Sequence, residues 1–350
     1  MGNKIRYGCI GAGIIAEKKT LQQYSQIDEV EMAAVCDIDI QKAMELAQKC
    51  NVKKAYKDYR EMLREEKLDL VSVCVPNYLH MPVILEALKN GCHVHCEKPL
   101  AISVKEAEII ADAKNQYNKK VMVGFDKRFT PENQLIKKLT ESNYFGEIYQ
   151  ARCGWRRRSG IPGRGSWFTN KKLSGGGALI DIGTHMLDLT LNFIGYPQPY
   201  SVSSATYSKF SSSKTRGWDA YKEDDNGIFD VEDMAVGFIR LENQTTIDFE
   251  VSWASNIEEE SYYFELKGTK GGVNSTNGKL KMFSEMMGVC VDITPKINLK
   301  LKYVNESEHI VKCILEDLEP MSTIEQSVTL MRIIEAAYKS ADESQEIKCI

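Results

Sequence analysis

The feature that most restricts this chain is a strand–turn–helix–strand passage at its start. An apolar run, Ile5–Ile10, is followed by Gly11-Ala12-Gly13-Ile14-Ile15-Ala16. An amphipathic stretch near Gly13–Tyr24 comes next, and a second apolar run, Val30–Val35, leads to Asp37. Gly11 permits a tight turn, Gly13 lets the backbone approach a bulky anion, and Ala16 allows a helix to pack closely on a strand. The helix N-terminus, with Ile14 and Ile15 in its first turn, would present unpaired amides to phosphate. Asp37 stands where a carboxylate can accept from ribose hydroxyls. A glycine turn with no ligand is the alternative, and the register of strand, helix and acid weighs against it. These residues predict a dinucleotide site. Asp37 is followed by Ile38, Asp39 and Ile40, with no base before Lys42, which predicts NAD over NADP.

The same rhythm continues to residue 124. Apolar runs recur at Leu70–Val75, Val94–Cys96 and Val121–Gly124, separated by helix-like segments near Ile40–Cys50, Asp58–Glu65, Leu79–Asn90 and Ser103–Tyr117. Alternating strands and helices predict a doubly wound parallel sheet with helices on both faces. After residue 125 the pattern changes. One glycine-introduced helix, Ala178–Phe193, precedes strand-like stretches at Tyr200–Phe210, Ala235–Leu241, Thr245–Ser252, Tyr262–Leu266 and Gly288–Ile293, and a last helix spans Ile324–Ser340. The predicted architecture is α/β: a Rossmann domain over residues 1–124, then an α+β domain over 125–350 with a large, mostly antiparallel, open-faced sheet.

Bulk properties narrow the partners. A net charge of −4 argues against nucleic acid. No stretch reaches the roughly 18 apolar residues of a membrane span. The chain enters its first strand almost at once, leaving no room for a signal peptide, so a cytoplasmic location is expected. The ten cysteines are scattered, and reduced thiols are expected. Cys92-His93-Val94-His95-Cys96 invites a zinc reading, but strand alternation separates the two Cys from the two His. No metal is expected.

Two further constellations carry chemistry. Glu97-Lys98-Pro99 follows an apolar run, and ligands of open α/β sheets bind beyond the carboxyl ends of strands. The bland alternative is a turn with a surface lysine. In Gly175–Asp188, Asp181, Thr184, His185 and Asp188 fall on one helical stripe, and Leu179, Ile182, Met186, Leu189 and Phe193 on another. A solvated face opposite a core face would look the same. Histidine nevertheless suits proton transfer near neutrality, Asp181 lies one turn from His185, and the glycine run allows something bulky to approach.

On these residues the chain resembles the Gfo/Idh/MocA oxidoreductases. The resemblance runs nearly end to end, through Gly11–Ala16, Val75-Pro76-Asn77-Tyr78-Leu79-His80, Glu97–Leu100, Gly124-Phe125-Asp126-Lys127-Arg128-Phe129 and Gly175–Asp188. It implies hydride exchange between a nicotinamide and a secondary hydroxyl of a sugar, polyol or glycoside, with the glucoside 3-position as one target. It implies that Asn77 and Glu97 lie along the nicotinamide side of the cofactor, with Pro76 and His80 also at the cofactor. Lys98, Asp181 and His185 match the family's catalytic lysine, aspartate and histidine: His185 accepts the hydroxyl proton, Lys98 holds the oxygen, and Asp181 orients substrate and tunes His185. Arg128, Trp155, Arg156 and Trp167 are expected at the substrate. The stretches 154–168 and 217–233 look specific to a subgroup, and form either a carbohydrate surface or a subunit arm. A homodimer or homotetramer through the C-terminal sheet is implied. An NAD-assisted glycosidase and a catalytically silent sugar sensor are the alternatives.

Overall fold

The computed structural model describes residues 4–298 and 304–349. The chain divides into two compact units. The first holds the chain up to Asp126 and a later segment ending at Val328; the second begins at Lys127 and resumes at Thr329. A single cut near residue 124 therefore becomes three, because the chain returns to the first unit and leaves it again. Helix Glu306–Leu315 places Ile310, Val311 and Cys313 in one apolar cluster with Tyr7, Tyr24, Leu70 and Met122.

The first unit is a six-stranded parallel sheet of β1 (Ile5–Ile10), β2 (Val30–Cys36), β3 (Lys54–Tyr56), β4 (Leu70–Val73), β5 (His93–Glu97) and β6 (Val121–Gly124), in the order β3-β2-β1-β4-β5-β6. Strands β4 and β6 are wholly buried, as expected of strands covered on both faces. Strand β3, three residues at the edge, is too short and polar to stand out in the sequence. Strand β4 ends two residues before the apolar run does. Cys74 still donates to Ile10 O at 2.7 Å before Pro76 turns the chain. The helices start at readable caps. Asp39, Asp58 and Ser103 each accept a backbone amide in the first turn of Ile40–Lys49, Tyr59–Glu66 and Val104–Tyr117.

The second unit is a nine-stranded sheet. Its strands are β7 (Ile148–Arg156), β8 (Pro199–Tyr207), β9 (Met234–Leu241), β10 (Thr246–Ser252), β11 (Ser261–Gly268), β12 (Gly271–Thr276), β13 (Lys279–Met286), β14 (Val289–Ile293) and β15 (Ile347–Lys348). The order is β14-β13-β12-β11-β7-β10-β9-β8-β15, antiparallel except where β7 pairs with β10. Helix Thr184–Phe193 covers one face, with Phe193 against Phe264 at 4.8 Å between ring centroids. The central strand β7 escaped the sequence reading, since its arginines and glycine conceal a strand whose Ala151 and Cys153 are buried. Strand β8 stops at Tyr207, short of the expected Phe210, because the amides of Lys209 and Phe210 turn to Asp233 Oδ2 at 2.6 Å. Helix Pro131–Glu141 also went unread, although Thr130 caps it and Pro131 opens it.

Candidate active site

The strand order of the first unit reverses between β1 and β4, where open sheets take ligands. The two fingerprint glycines have different causes. Gly11 has φ +104°, and a Cβ there would stand 2.3 Å from Cys74 O, so the fold itself demands glycine. A Cβ on Gly13 would meet nothing within 4 Å. No group of the protein explains that glycine, and the open space suits an approaching pyrophosphate. The helix then begins as a π-turn over Ala16–Thr20, with Glu17 donating to Gly13 O at 3.0 Å. Asp37 is fixed against this turn: Oδ2 accepts from Ala12 N at 2.8 Å and Oδ1 from Asp39 N at 2.9 Å. Its remaining lone pairs can take ribose hydroxyls. Ile14 is half-buried and Ile15 is exposed, and Ile38, which the sequence reading passed over, is 85% exposed beside Asp37. An exposed aliphatic side chain there suits the flat face of a base. The cradle fits a dinucleotide.

Past β4, Pro76 and the buried Asn77 begin a short turn, Asn77–Leu79. His80 departs from its expected place on the cofactor. Its ring is 1% exposed, with Nδ1 2.7 Å from Pro99 O and Nε2 2.9 Å from Val75 O. It ties the turns after β4 and β5 together from behind. Burial lowers its pKa although both carbonyls favour the charged ring, so the neutral ring donates to one of them. Glu97 and Lys98 stand at the end of β5, half-buried, and Glu97 Oε1 lies 3.4 Å from Lys19 Nζ. The Cys92–Cys96 side chains part company. Cys92 donates to Leu68 O, His93 accepts from Lys120 N, His95 pairs with Tyr24 OH and Cys96 donates to Glu97 O. Among the described residues no group of three His, Cys, Asp or Glu is arranged to hold a metal.

In the second unit the glycine run is filled by the protein itself. A Cβ on Gly176 would lie 2.0 Å from Tyr338 Oη, and one on Gly177 would lie 1.9 Å from Glu232 O. Glu232 accepts from Gly177 N and Leu179 N, both at 2.9 Å, and from Tyr338 Oη at 2.9 Å. The bulky visitor expected at these glycines is thus a tyrosine and a strand-end backbone. The helix opens as a π-turn, Leu179–Gly183, and continues as Thr184–Phe193. The polar stripe divides. Thr184 is buried and donates to Ile180 O, and Asp188 is buried and binds Arg128. Asp181 and His185 remain partly exposed. Asp181 Oδ2 accepts from the buried Trp253 Nε1 at 2.8 Å, which fixes its carboxylate. The His185 ring lies 5.9 Å from that of Trp155.

Arg128, expected at the substrate, is buried with Asp188 instead. Its side chain is fully buried and doubly bonded to Asp188, with Nε at 2.8 Å and Nη2 at 2.5 Å, and Tyr196 Oη completes the cluster. Its neighbour Lys127 is half-buried instead, with Nζ 4.5 Å from the Trp155 ring centroid and 4.6 Å from that of Tyr262. Arg156, also expected at the substrate, faces away from Trp155. Alternation along β7 turns it to the face opposite Trp155, where it bonds Ser261 Oγ at 3.2 Å and lies 3.7 Å from Glu250. The subgroup stretches come together: Trp218 N donates to Ile161 O at 2.9 Å. Arg157 lies over both Trp155 and Trp218, Trp218 meets Tyr221, Tyr221 meets Phe168, and Phe168 stacks on Trp167 at 3.8 Å. Trp167 is therefore the far end of an aromatic row that begins beside His185.

Residues 5–125 match the Gfo/Idh/MocA model described as an oxidoreductase family with an NAD-binding Rossmann fold, and residues 133–274 match that family's C-terminal domain. D-glucoside 3-dehydrogenase of Escherichia coli (strain K12) is 32% identical over 346 residues, 98% of this chain and 97% of that protein. The chain belongs to the Gfo/Idh/MocA oxidoreductase family. Among solved structures, an oxidoreductase domain protein from Kribbella flavida is 23% identical, covers 100% of both chains and has a TM-score of 0.88. Levoglucosan dehydrogenase in complex with NADH is 21% identical, covers 99% of both chains and has a TM-score of 0.84. Both share the family fold. The protein is thus an NAD-binding oxidoreductase of α/β architecture. Lys127, Trp253 and Ile38 had no role assigned from the sequence. Lys127 and Arg128 are adjacent cations in one motif, and only burial separates them. Nothing local ties Trp253 to Asp181.

Proposed function

We propose that this oxidoreductase uses NAD to oxidise a secondary hydroxyl of a sugar or glycoside, with the glucoside 3-position the leading target. The observation that carries the reading is the aromatic face of Trp155 beside His185, with Asp181 fixed by Trp253 on the same helix. Sugars bind through apolar C–H faces and hydroxyls, and this surface offers a ring, an acid and a cation for both. The kinship to D-glucoside 3-dehydrogenase supports the same substrate class. Bound NAD supplies the hydride acceptor. In the proposed reaction the carbinol carbon loses hydride, the hydroxyl proton passes to His185 Nε2 or Nδ1, and the product is a ketone. Asp181 orients the hydroxyls and biases His185. Lys98 supplies a cationic donor for the oxygen as negative charge develops on it. Asp37 selects NAD by accepting from the 2′-hydroxyl and repelling a 2′-phosphate.

The proposal extends to a reducing, cytoplasmic setting, which the ten free cysteines suit, and to self-association through the second unit's sheet, where Tyr149, Tyr200 and Tyr207 are exposed. Among the described residues no helix is long and apolar enough to cross a membrane. The decisive experiment incubates the protein with NAD and a panel of sugars, inositols and glycosides and follows absorbance of the reduced cofactor. Net reduction with a sugar or glycoside is expected. Cleavage of a glycoside without net reduction would replace this reading with the glycosidase, and no turnover across the panel would remove it.

A further inference from the structure

Behind the Glu97-Lys98-Pro99 turn, two carboxylates share one ammonium. Lys19, on the fingerprint helix, places Nζ 2.5 Å from Glu306 Oε1 and 3.4 Å from Glu97 Oε1. Glu306 opens the returning helix Glu306–Leu315, and its side chain is 2% exposed. Its Oε2 has no hydrogen-bond partner among the described residues. Gly124, at the end of β6, lies beside both groups: a Cβ there would stand 3.5 Å from Glu306 Oε1, an ordinary contact, and 3.1 Å from His95 Nε2, a tight one. A buried acid that must share its cation is poorly compensated.

The groups around Glu306 are Lys19 from the fingerprint helix, Glu97 from β5, Asp126 beyond β6 and Tyr24 from the interior, with His95 across Gly124 and His309 beside His95. Burial pushes Glu306 up to about 7; Lys19 pulls it down, while Glu97 and Asp126 push it further up. Burial opposes the charge on Lys19, but Glu97, Glu306 and Asp126 outweigh it and keep the ammonium. Burial brings His95 down to about 3 and raises Tyr24, so both stay neutral near pH 7. Glu306 is thus poised to change charge near neutrality.

We propose that Glu306 and Lys19 are positioning residues that set the charge Glu97 presents to the nicotinamide, and so bias the site between oxidised and reduced cofactor. This rests on the reading that bound NAD brings its nicotinamide to Glu97. The oxidised ring is cationic and the reduced ring neutral. With Glu306 ionised, the trio Lys19, Glu97 and Glu306 carries one net negative charge and favours the oxidised form. With Glu306 protonated the trio is neutral and the preference lapses. By linkage, binding the oxidised form expels the proton from Glu306.

The test titrates the full chain with NAD and with NADH by fluorescence between about pH 6 and pH 8.5. The affinity ratio in favour of NAD should rise roughly three- to tenfold across that range, the scale of one charge acting through partly buried surroundings. In Glu306→Gln the ratio should stay flat at its low-pH value. In Lys19→Met the rise should move to higher pH, because the carboxyl loses its cation. Independently of any variant, NAD binding to the wild-type protein in weak buffer near pH 7 should release protons, and near pH 8.5 should release none. A flat ratio in the wild type, a slope retained in Glu306→Gln, or no proton release near pH 7 would overturn the proposal. A wild-type protein that binds neither cofactor form removes the underlying cofactor reading and this inference with it.

Discussion

Each unit opens a helix with closely spaced glycines, and the reason for glycine differs between them. At Gly13 a side chain would meet open space, so nothing in the fold itself requires glycine there. At Gly176 and Gly177 a side chain would strike Tyr338 and Glu232, so the requirement comes from the fold. A glycine pattern announces that something comes close. It does not say whether the visitor belongs to the chain. The contrast repeats along the second helix, where Asp181 and His185 stay partly exposed while Asp188, two turns on from Asp181, is spent on Arg128.

The largest expected effect separates the two glycine sites. Gly177→Ala drives a methyl into the Glu232 backbone and should cost about 4 kcal/mol or more of stability by urea denaturation. Gly13→Ala should stay within about 1 kcal/mol of wild type while weakening NAD binding. A stable Gly177→Ala, or an unfolded Gly13→Ala, would erase the distinction.

Along the helix, Asp188→Ala leaves Arg128 buried and unpaired and should cost about 3–5 kcal/mol. His185→Ala should leave the denaturation midpoint nearly unchanged and lower turnover about 10²–10⁴-fold, with NAD affinity intact. Near-wild-type turnover in that variant would take the proton acceptor's role from His185. A large loss of NAD affinity would move it to the cofactor site.

A smaller effect tests the acid beside the first glycine turn. Asp37→Ala should narrow the preference for NAD over NADP by roughly 10- to 100-fold, the worth of one or two hydrogen bonds to a charged acceptor. A higher specificity constant for NADP in the wild type would show that Asp37 does not read the ribose. Opposite faces of β7 give the smallest contrast. Trp155→Ala should raise KM for the sugar by about fivefold, on the scale of an aromatic contact of about 1 kcal/mol. Arg156→Ala should leave KM unchanged, and equal effects in the two variants would mean that strand alternation does not divide this surface.

Much of the first unit was legible because its signals are local. Apolar runs long enough to be strands, capping residues one position before the helices Ile40–Lys49, Tyr59–Glu66 and Val104–Tyr117, and the spacing from Gly11 to Asp37 are all local signals. Strand β3 was lost because three residues at an edge carry no pattern. The second unit was less legible. Strand β7 hides arginines and a glycine in the middle of the sheet, and Arg156 reads as the companion of Trp155 until alternation puts them on opposite faces. Arg128 and Lys127 look interchangeable in sequence, and only the position of Asp188 and Tyr196 decides which one is buried.

What the sequence determined by itself is what short-range physics encodes: a parallel sheet from buried apolar runs, a phosphate-facing turn from the glycine spacing, and an acid and a histidine one turn apart. Tertiary structure alone decided which polar groups are used up and which remain for chemistry. Trp253 reaches Asp181 across 72 residues, and Arg128 reaches Asp188 across 60. Glu306 comes to Lys19 only because the chain returns to its first unit after building the second sheet. Such pairings cost loop entropy that grows slowly with separation, so a distant partner is nearly as accessible as a near one. Local pattern carries no record of which distant partner was taken.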